Sequence, residues 1–278
     1  MKFDSSAPVG VFDSGVGGLS VLQHIHQALP HEKLVYVADS SFAPYGDKTS
    51  HEILKRSIAI TDFLLSQDIK AVVVACNTAT AAAISHMRQL YPDLIVVGIE
   101  PGLKPAALLS KTKKVGVLAT LSTIQSDKYQ RLRVQLNEET GVEFFSQACV
   151  GLVEQIEKKE VDADQIRSLL QHYLPPLLNA KVDTLVLGCT HYPFVADFIH
   201  EFISAYTDDS KLIRLVDTGK AVATRLQHLL ADRLLITSES GTPAITAYTG
   251  GNSETLKHAF TEWIHIPEEQ LSISTFLI

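Results

Sequence analysis

Two short apolar runs of this chain each occur twice, in the same order. Val9 to Asp13 reads VGVFD and returns as VGVLA at Val115 to Ala119, an offset of 106 residues. VVVAC at Val72 to Cys76 returns as LVLGC at Leu185 to Cys189, an offset of 113. Runs this short, rich in β-branched residues and closed by turn residues, are buried strands. Helical patterns fall between them, from Leu19 to Leu29, from Ser50 to Ser66 and from Asn77 to about Leu90. Further strands are predicted at Leu34 to Ala38, Leu94 to Ile99 and Leu212 to Val216, and helical stretches at Gly219 to Leu230 and Ser253 to Ile264. Such alternation predicts an α/β chain with mostly parallel sheets. The near-equal offsets predict a duplicated α/β half. The expected division is residues 1–98 with 212–278 as one domain and 99–211 as the other.

Composition narrows the function. With 278 residues, two domains fit, and 46% hydrophobic residues suffice for two cores. The net charge is −7 and no Lys/Arg stripe runs along one face, so a small ligand is favoured over nucleic acid. No apolar run approaches the ~18 residues that cross a bilayer, so no membrane partner is expected. Met1 to Pro8 lacks the basic and apolar regions of a signal peptide. Three cysteines is an odd number, which argues for free thiols in a reducing cytoplasm.

Cys76 and Cys189 close the second strand of each repeat, the edge where open α/β sheets bind ligands. Each precedes a helix start or polar turn. A helix N-terminus favours the thiolate through its dipole and free N–H groups. A single buried cysteine is usually core filler, and Cys149, without such neighbours, fits that description. A pair at matching positions suits inversion at carbon, with one thiolate removing a proton and one thiol donating on the opposite face.

Asp13-Ser14-Gly15-Val16-Gly17-Gly18 is a glycine-rich turn that can bind an anion. Ser20 stands where the dinucleotide fingerprint needs a third glycine, and Gly219-Lys220 is followed by Ala221 where a P-loop needs Ser or Thr, so neither nucleotide motif is matched. Asp13 can hold a substrate ammonium, orient a thiol or cap a helix. His191, two residues past Cys189, can tune the thiol, shuttle a proton or simply be hydrogen-bonded. Zinc would need two more ligands, and no Cys-x-x-Cys exists, so neither a metal nor another cofactor is expected.

Taken together, Phe12 to Gly18, Asp39 with Pro44-Tyr45-Gly46, Ala75-Cys76-Asn77-Thr78-Ala79 and Gly188-Cys189-Thr190-His191-Tyr192-Pro193 resemble the glutamate racemase family over nearly the whole chain. The resemblance implies two similar, facing α/β domains with mostly parallel sheets, related by a pseudo-twofold axis with the active site in the cleft between them, and interconversion of L- and D-glutamate for bacterial peptidoglycan, without pyridoxal phosphate or metal. It implies that Cys76 takes the proton from D-glutamate and Cys189 from L-glutamate. The family's supporting Asp matches Asp13 and its His matches His191. Its Glu matches Glu154, in a stretch that also holds Glu157 and Glu160. Ser14, Tyr45, Gly46, Asn77, Thr78 and Thr190 match substrate contacts, and Thr120 and Thr123 match contacts to the α-carboxylate. Family members are often homodimers. The alternatives are a racemase of another acidic amino acid such as aspartate, a solute-binding protein, which would need an export signal, and a cysteine hydrolase, which would leave one thiol idle.

Overall fold

The computed structural model describes residues 3–207 and 213–276. The chain forms two compact units. One runs to Ile99 and resumes at Gly219; the other is Glu100–Thr218. The first opens with β1 (Val9–Asp13), α1 (Leu19–Ala28), β2 (Leu34–Ala38), α2 (Ser50–Leu65), β3 (Ala71–Val74), α3 (Asn77–Leu90) and β4 (Ile95–Gly98). The second contains α4 (Leu103–Leu109), β5 (Lys114–Ala119), α5 (Leu121–Gln125), α6 (Asp127–Thr140), β6 (Glu143–Ala148), α7 (Leu152–Ile156), α8 (Ala163–Asn179), β7 (Thr184–Leu187), α9 (Ala196–Tyr206) and β8 (Arg214–Val216). The chain then returns to the first unit with α10 (Gly219–Asp232), β9 (Ile245–Thr249), α11 (Ser253–His258) and β10 (Leu271–Thr275). No helix among the described residues is long and apolar enough to cross a membrane.

The first sheet has six strands in the order β10-β9-β2-β1-β3-β4, and the second has four in the order β6-β5-β7-β8. Every pairing is parallel. The order β2-β1-β3-β4 is the order β6-β5-β7-β8 in a second copy. Val9 pairs with Leu34 and Ala71, as Val115 pairs with Phe144 and Thr184. The repeat seen in VGVFD and VGVLA is therefore a repeat of topology. The expected return at residue 212 is displaced. Residues 211 and 212 lie outside the described residues, but β8 pairs with β7, so the chain stays in the second unit until Thr218. Strand β8 covers the outer edge of β7 and completes the four-strand order.

Parallel strands covered on both faces must be apolar throughout, and β1, β2 and β3 are buried at every residue. Their core is shared with Ile53, Ile60 and Leu64 of α2 and Ala79, Ala83 and Met87 of α3. Each such Val, Leu or Ile contributes about 1.5–3 kcal/mol on burial. Helix α2 starts with a capping box: Glu52 N–H donates to Thr49 Oγ1 (3.3 Å) and Thr49 N–H to Glu52 Oε2 (2.9 Å).

Gly18 is fixed by a close approach. A Cβ there would lie 2.5 Å from the Asp13 Cβ and 2.8 Å from the Tyr36 hydroxyl. Gly18→Ala is expected to lower stability by roughly 1–3 kcal/mol and to displace Asp13. Urea denaturation checks the first effect, and a crystal structure of the folded variant checks the second.

Candidate active site

In a sheet ordered 2-1-3-4, ligands bind beyond the carboxyl ends of the two central strands, where the chain turns to opposite sides. Asp13 is the last residue of β1, and Cys76 stands two residues beyond β3. In the second unit Thr120 follows β5, and Cys189 stands two residues beyond β7. Each thiol is thus delivered to the switch point of its own sheet.

In the first unit Cys76 is the N-cap of α3, and its sulfur accepts from the Ala79 N–H at 3.5 Å. A helix start with an N–H aimed at sulfur favours negative charge there. The thiol also reaches Ser14 Oγ at 3.9 Å. Asp13 is fully buried and accepts from the Gly15 N–H at 3.0 Å, while the Tyr36 hydroxyl donates to the Gly15 carbonyl at 2.6 Å. Asn77 and Thr78 begin α3 and are buried. The Asn77 amide has neither its oxygen nor its nitrogen paired. A buried polar group left so costs about 1–3 kcal/mol. Tyr45 begins a single 3-10 turn, Tyr45–Asp47, that also holds Gly46. Its hydroxyl donates to Asp39 Oδ2 at 2.7 Å. Burial, then the Asp39 carboxylate, push that phenol far above its usual range, so it stays neutral.

The second unit holds a three-member chain. His191 Nδ1 lies 3.6 Å from Cys189 Sγ, and His191 Nε2 lies 2.5 Å from Glu157 Oε1. Burial disfavours charge on His191, but its hydrogen bonds to Cys189 and Glu157 outweigh burial and raise its pKa well above the usual value. An imidazolium donates from both ring nitrogens, one towards sulfur and one towards carboxylate. Gly188 lets the chain leaving β7 pass close to β5, since a Cβ there would stand 2.8 Å from the Leu118 carbonyl. Thr190 is buried. Thr120 caps α5, accepting from the Thr123 N–H at 3.2 Å and donating to Thr123 Oγ1 at 2.9 Å. Cys149 is buried, and burial foremost pushes its thiol up to about 12, so it remains neutral.

The His191 shift has a measurable consequence. Its folded pKa lies above the unfolded value of 6.5. Its stabilising effect is therefore fully present below that pH and is lost as pH rises through the folded value. The unfolding free energy of the wild type relative to His191→Gln is expected to decline on the alkaline side of neutrality. Urea denaturation at stepped pH checks this.

The fold gathers Asp13, Ser14, Tyr45, Gly46, Cys76, Asn77 and Thr78 in the first unit. The second holds Thr120, Thr123, Cys189, Thr190 and His191. Glu154 does not take the place expected for it. It is exposed on α7, and the carboxylate on His191 belongs to Glu157. Gly151, at φ 87°, starts α7 so that Leu152 and Ile156 face inward. That leaves Glu154 outward and Glu157, the C-cap, against the imidazole. Among the described residues no group of three or more His, Cys, Asp and Glu is arranged to hold a metal.

The Asp/Glu/Hydantoin racemase family matches residues 9–226 of the chain. A glutamate racemase of Pseudomonas syringae pv. tomato is 50% identical over 232 residues, covering 84% of this chain and 82% of that protein. The crystal structure of a glutamate racemase isoform from Bacillus anthracis matches with a TM-score of 0.84 at 30% identity, covering 99% of this chain and 98% of that one. A glutamate racemase from Francisella tularensis, crystallised in complex with D-glutamate, matches with a TM-score of 0.79 at 26% identity, covering 97% and 98%. With a family match across most of its length and a relative identical at half of the aligned positions, the chain belongs to the Asp/Glu/Hydantoin racemase family.

Proposed function

We propose that this chain is an isomerase that interconverts L- and D-glutamate without a cofactor, supplying D-glutamate for peptidoglycan. The observation that carries the reading is the pair of thiols at equivalent strand ends, each with its own supporting set. Cys76 has the α3 N-terminus, Ser14 and Asp13 beside the same turn. Cys189 has His191 and, behind it, Glu157. In the L-to-D direction the Cys189 thiolate removes the Cα proton as the Cys76 thiol gives its proton to the opposite face. The reverse direction exchanges their roles. The His191 imidazolium offsets negative charge at Cys189, and Glu157 holds the ring in place. Asp13 receives the substrate ammonium. Asn77, whose buried amide is unpaired, binds substrate oxygen together with Ser14, Thr78 and Thr190. Tyr45 and Gly46 contribute through their turn, and Thr120 and Thr123 face the α-carboxylate. The relatives quoted above are all glutamate racemases, and no observation favours aspartate. The reducing cytoplasm, where both thiols stay free, is the compartment this chemistry needs. Assembly as a homodimer belongs to the same proposal and is tested by sedimentation.

Circular dichroism of purified protein with each enantiomer of glutamate and aspartate, no cofactor added, tests the activity. The signal of either glutamate enantiomer is expected to decay to zero and aspartate to stay unchanged, before and after dialysis against EDTA. A constant glutamate signal, or faster decay with aspartate, would overturn the assignment.

A further inference from the structure

The turn carrying Tyr45 and Gly46 belongs to a loop, residues 39–49, that joins β2 to α2. Its root is Asp39, fully buried, whose N–H donates to the Asp13 carbonyl at 3.0 Å. The Asp39 carboxylate is gripped from α2 by Arg56, with Nε donating to Oδ2 at 2.7 Å and Nη2 to Oδ1 at 2.6 Å. Oδ2 also accepts from the Tyr45 hydroxyl at 2.7 Å. The same guanidinium lies 5.3 Å from the centre of the Phe42 ring, and that ring meets Tyr45 edge-on at 5.9 Å. One side chain of α2 thus holds the loop at its charged root and, through Phe42, against its aromatic turn. A forked guanidinium does both, whereas an ammonium can reproduce neither the paired bonds nor the planar stacking.

We propose that Arg56 is a positioning residue for substrate binding: by clamping Asp39 and Phe42 it holds the Tyr45–Gly46 turn in the conformation that receives glutamate. This rests on the reading that the turn touches substrate. Arg56 touches neither thiol's proton path in this scheme, so its loss acts on KM more than on kcat. It also acts on both enantiomers alike, because the turn binds a part of glutamate that does not invert.

The test compares Arg56→Lys, Arg56→Gln, Asp39→Asn with Arg56→Gln in one chain, and Gly46→Ala, each followed by melting temperature and steady-state kinetics in both directions. Arg56→Gln leaves a buried carboxylate without its countercharge and should melt early, with KM raised on the order of tenfold or more and kcat changed much less. Arg56→Lys should fall between it and the wild type. The double variant removes both charges, so it should recover melting temperature while KM stays high. Should Arg56→Gln not fold, Arg56→Lys and the double variant decide. An unchanged KM in the folded variants, or a KM that recovers with melting temperature in the double variant, would overturn the proposal. If Gly46→Ala raises KM while the Arg56 variants do not, the clamp is wrong and the substrate-contact reading stands. If no variant moves KM, both fall together.

Discussion

Replacing Cys76 or Cys189 by serine is expected to abolish racemisation to within a residue on the order of 10³-fold or more below wild type. A thiol ionises near pH 8.5, and a hydroxyl does so far higher, so serine supplies almost no base at neutral pH. The α-proton of glutamate is a very weak acid, and in the proposed cofactor-free reaction the thiols alone must manage the electrons left behind. The carbanion must be met by a proton from the opposite face in a site that excludes water. Each single variant keeps one working base and should still eliminate a leaving group from a β-substituted analogue. The Cys189 variant should accept the D-analogue and the Cys76 variant the L-analogue. In D2O the wild type should convert L-glutamate to D-glutamate that carries deuterium at Cα from the first turnovers, while recovered L-glutamate stays protiated. Equal early deuterium in substrate and product, or near wild-type racemisation by either variant, would replace two bases with one.

Glu157→Gln is expected to lower kcat/KM by about 10- to 100-fold, the equivalent of the 1.5–3 kcal/mol typical of a hydrogen bond to a charged group. Glu154→Gln should change it by less than about a factor of two, as for an exposed substitution away from such features. The reason is the position of Glu157 at 2.5 Å from His191 Nε2. Without its charge the imidazolium beside Cys189 loses a partner, and the activity profile of the variant should shift to lower pH as His191 sheds its proton more readily. The equilibrium between enantiomers is fixed, so kcat/KM must fall equally in the two directions. The lesion shows its side in deuterium isotope effects, which should change more for L-glutamate, whose proton Cys189 is assigned to remove. A large loss for Glu154→Gln and none for Glu157→Gln would reverse the assignment.

The strand-end placement of Cys76, Cys189 and Asp13 was legible because each closes a continuous apolar run, and parallel strands must be apolar on both faces. The identity of the carboxylate behind His191 was not. Glu154 and Glu157 are three residues apart, which on a helix makes them neighbours on one face. Only the left-handed Gly151 and the early end of α7 send one outward and the other to the ring. Strands β9 and β10, reading ITAYT and LSIST, were invisible for the opposite reason. Their serines and threonines show no apolar run, and the pairing of β9 with β2 and of β10 with β9 decides their state. The Arg56 clamp has no local signature, because its two ends lie 17 residues apart.

The order in which the chain visits its sheets bears on how it is made. The second unit is an insertion, so synthesis from the N-terminus finishes its fourth strand at Val216 while the first sheet still lacks β9 and β10. Until residue 249 has left the ribosome, β2, all five of whose residues are apolar, presents a bare row of backbone donors and acceptors. Such an edge recruits strands from other chains. The nascent enzyme is thus most vulnerable to aggregation during the translation of 33 residues, from 217 to 249, that contain neither cysteine of the reaction. A stall or truncation there yields a chain with both thiols present and its first sheet open.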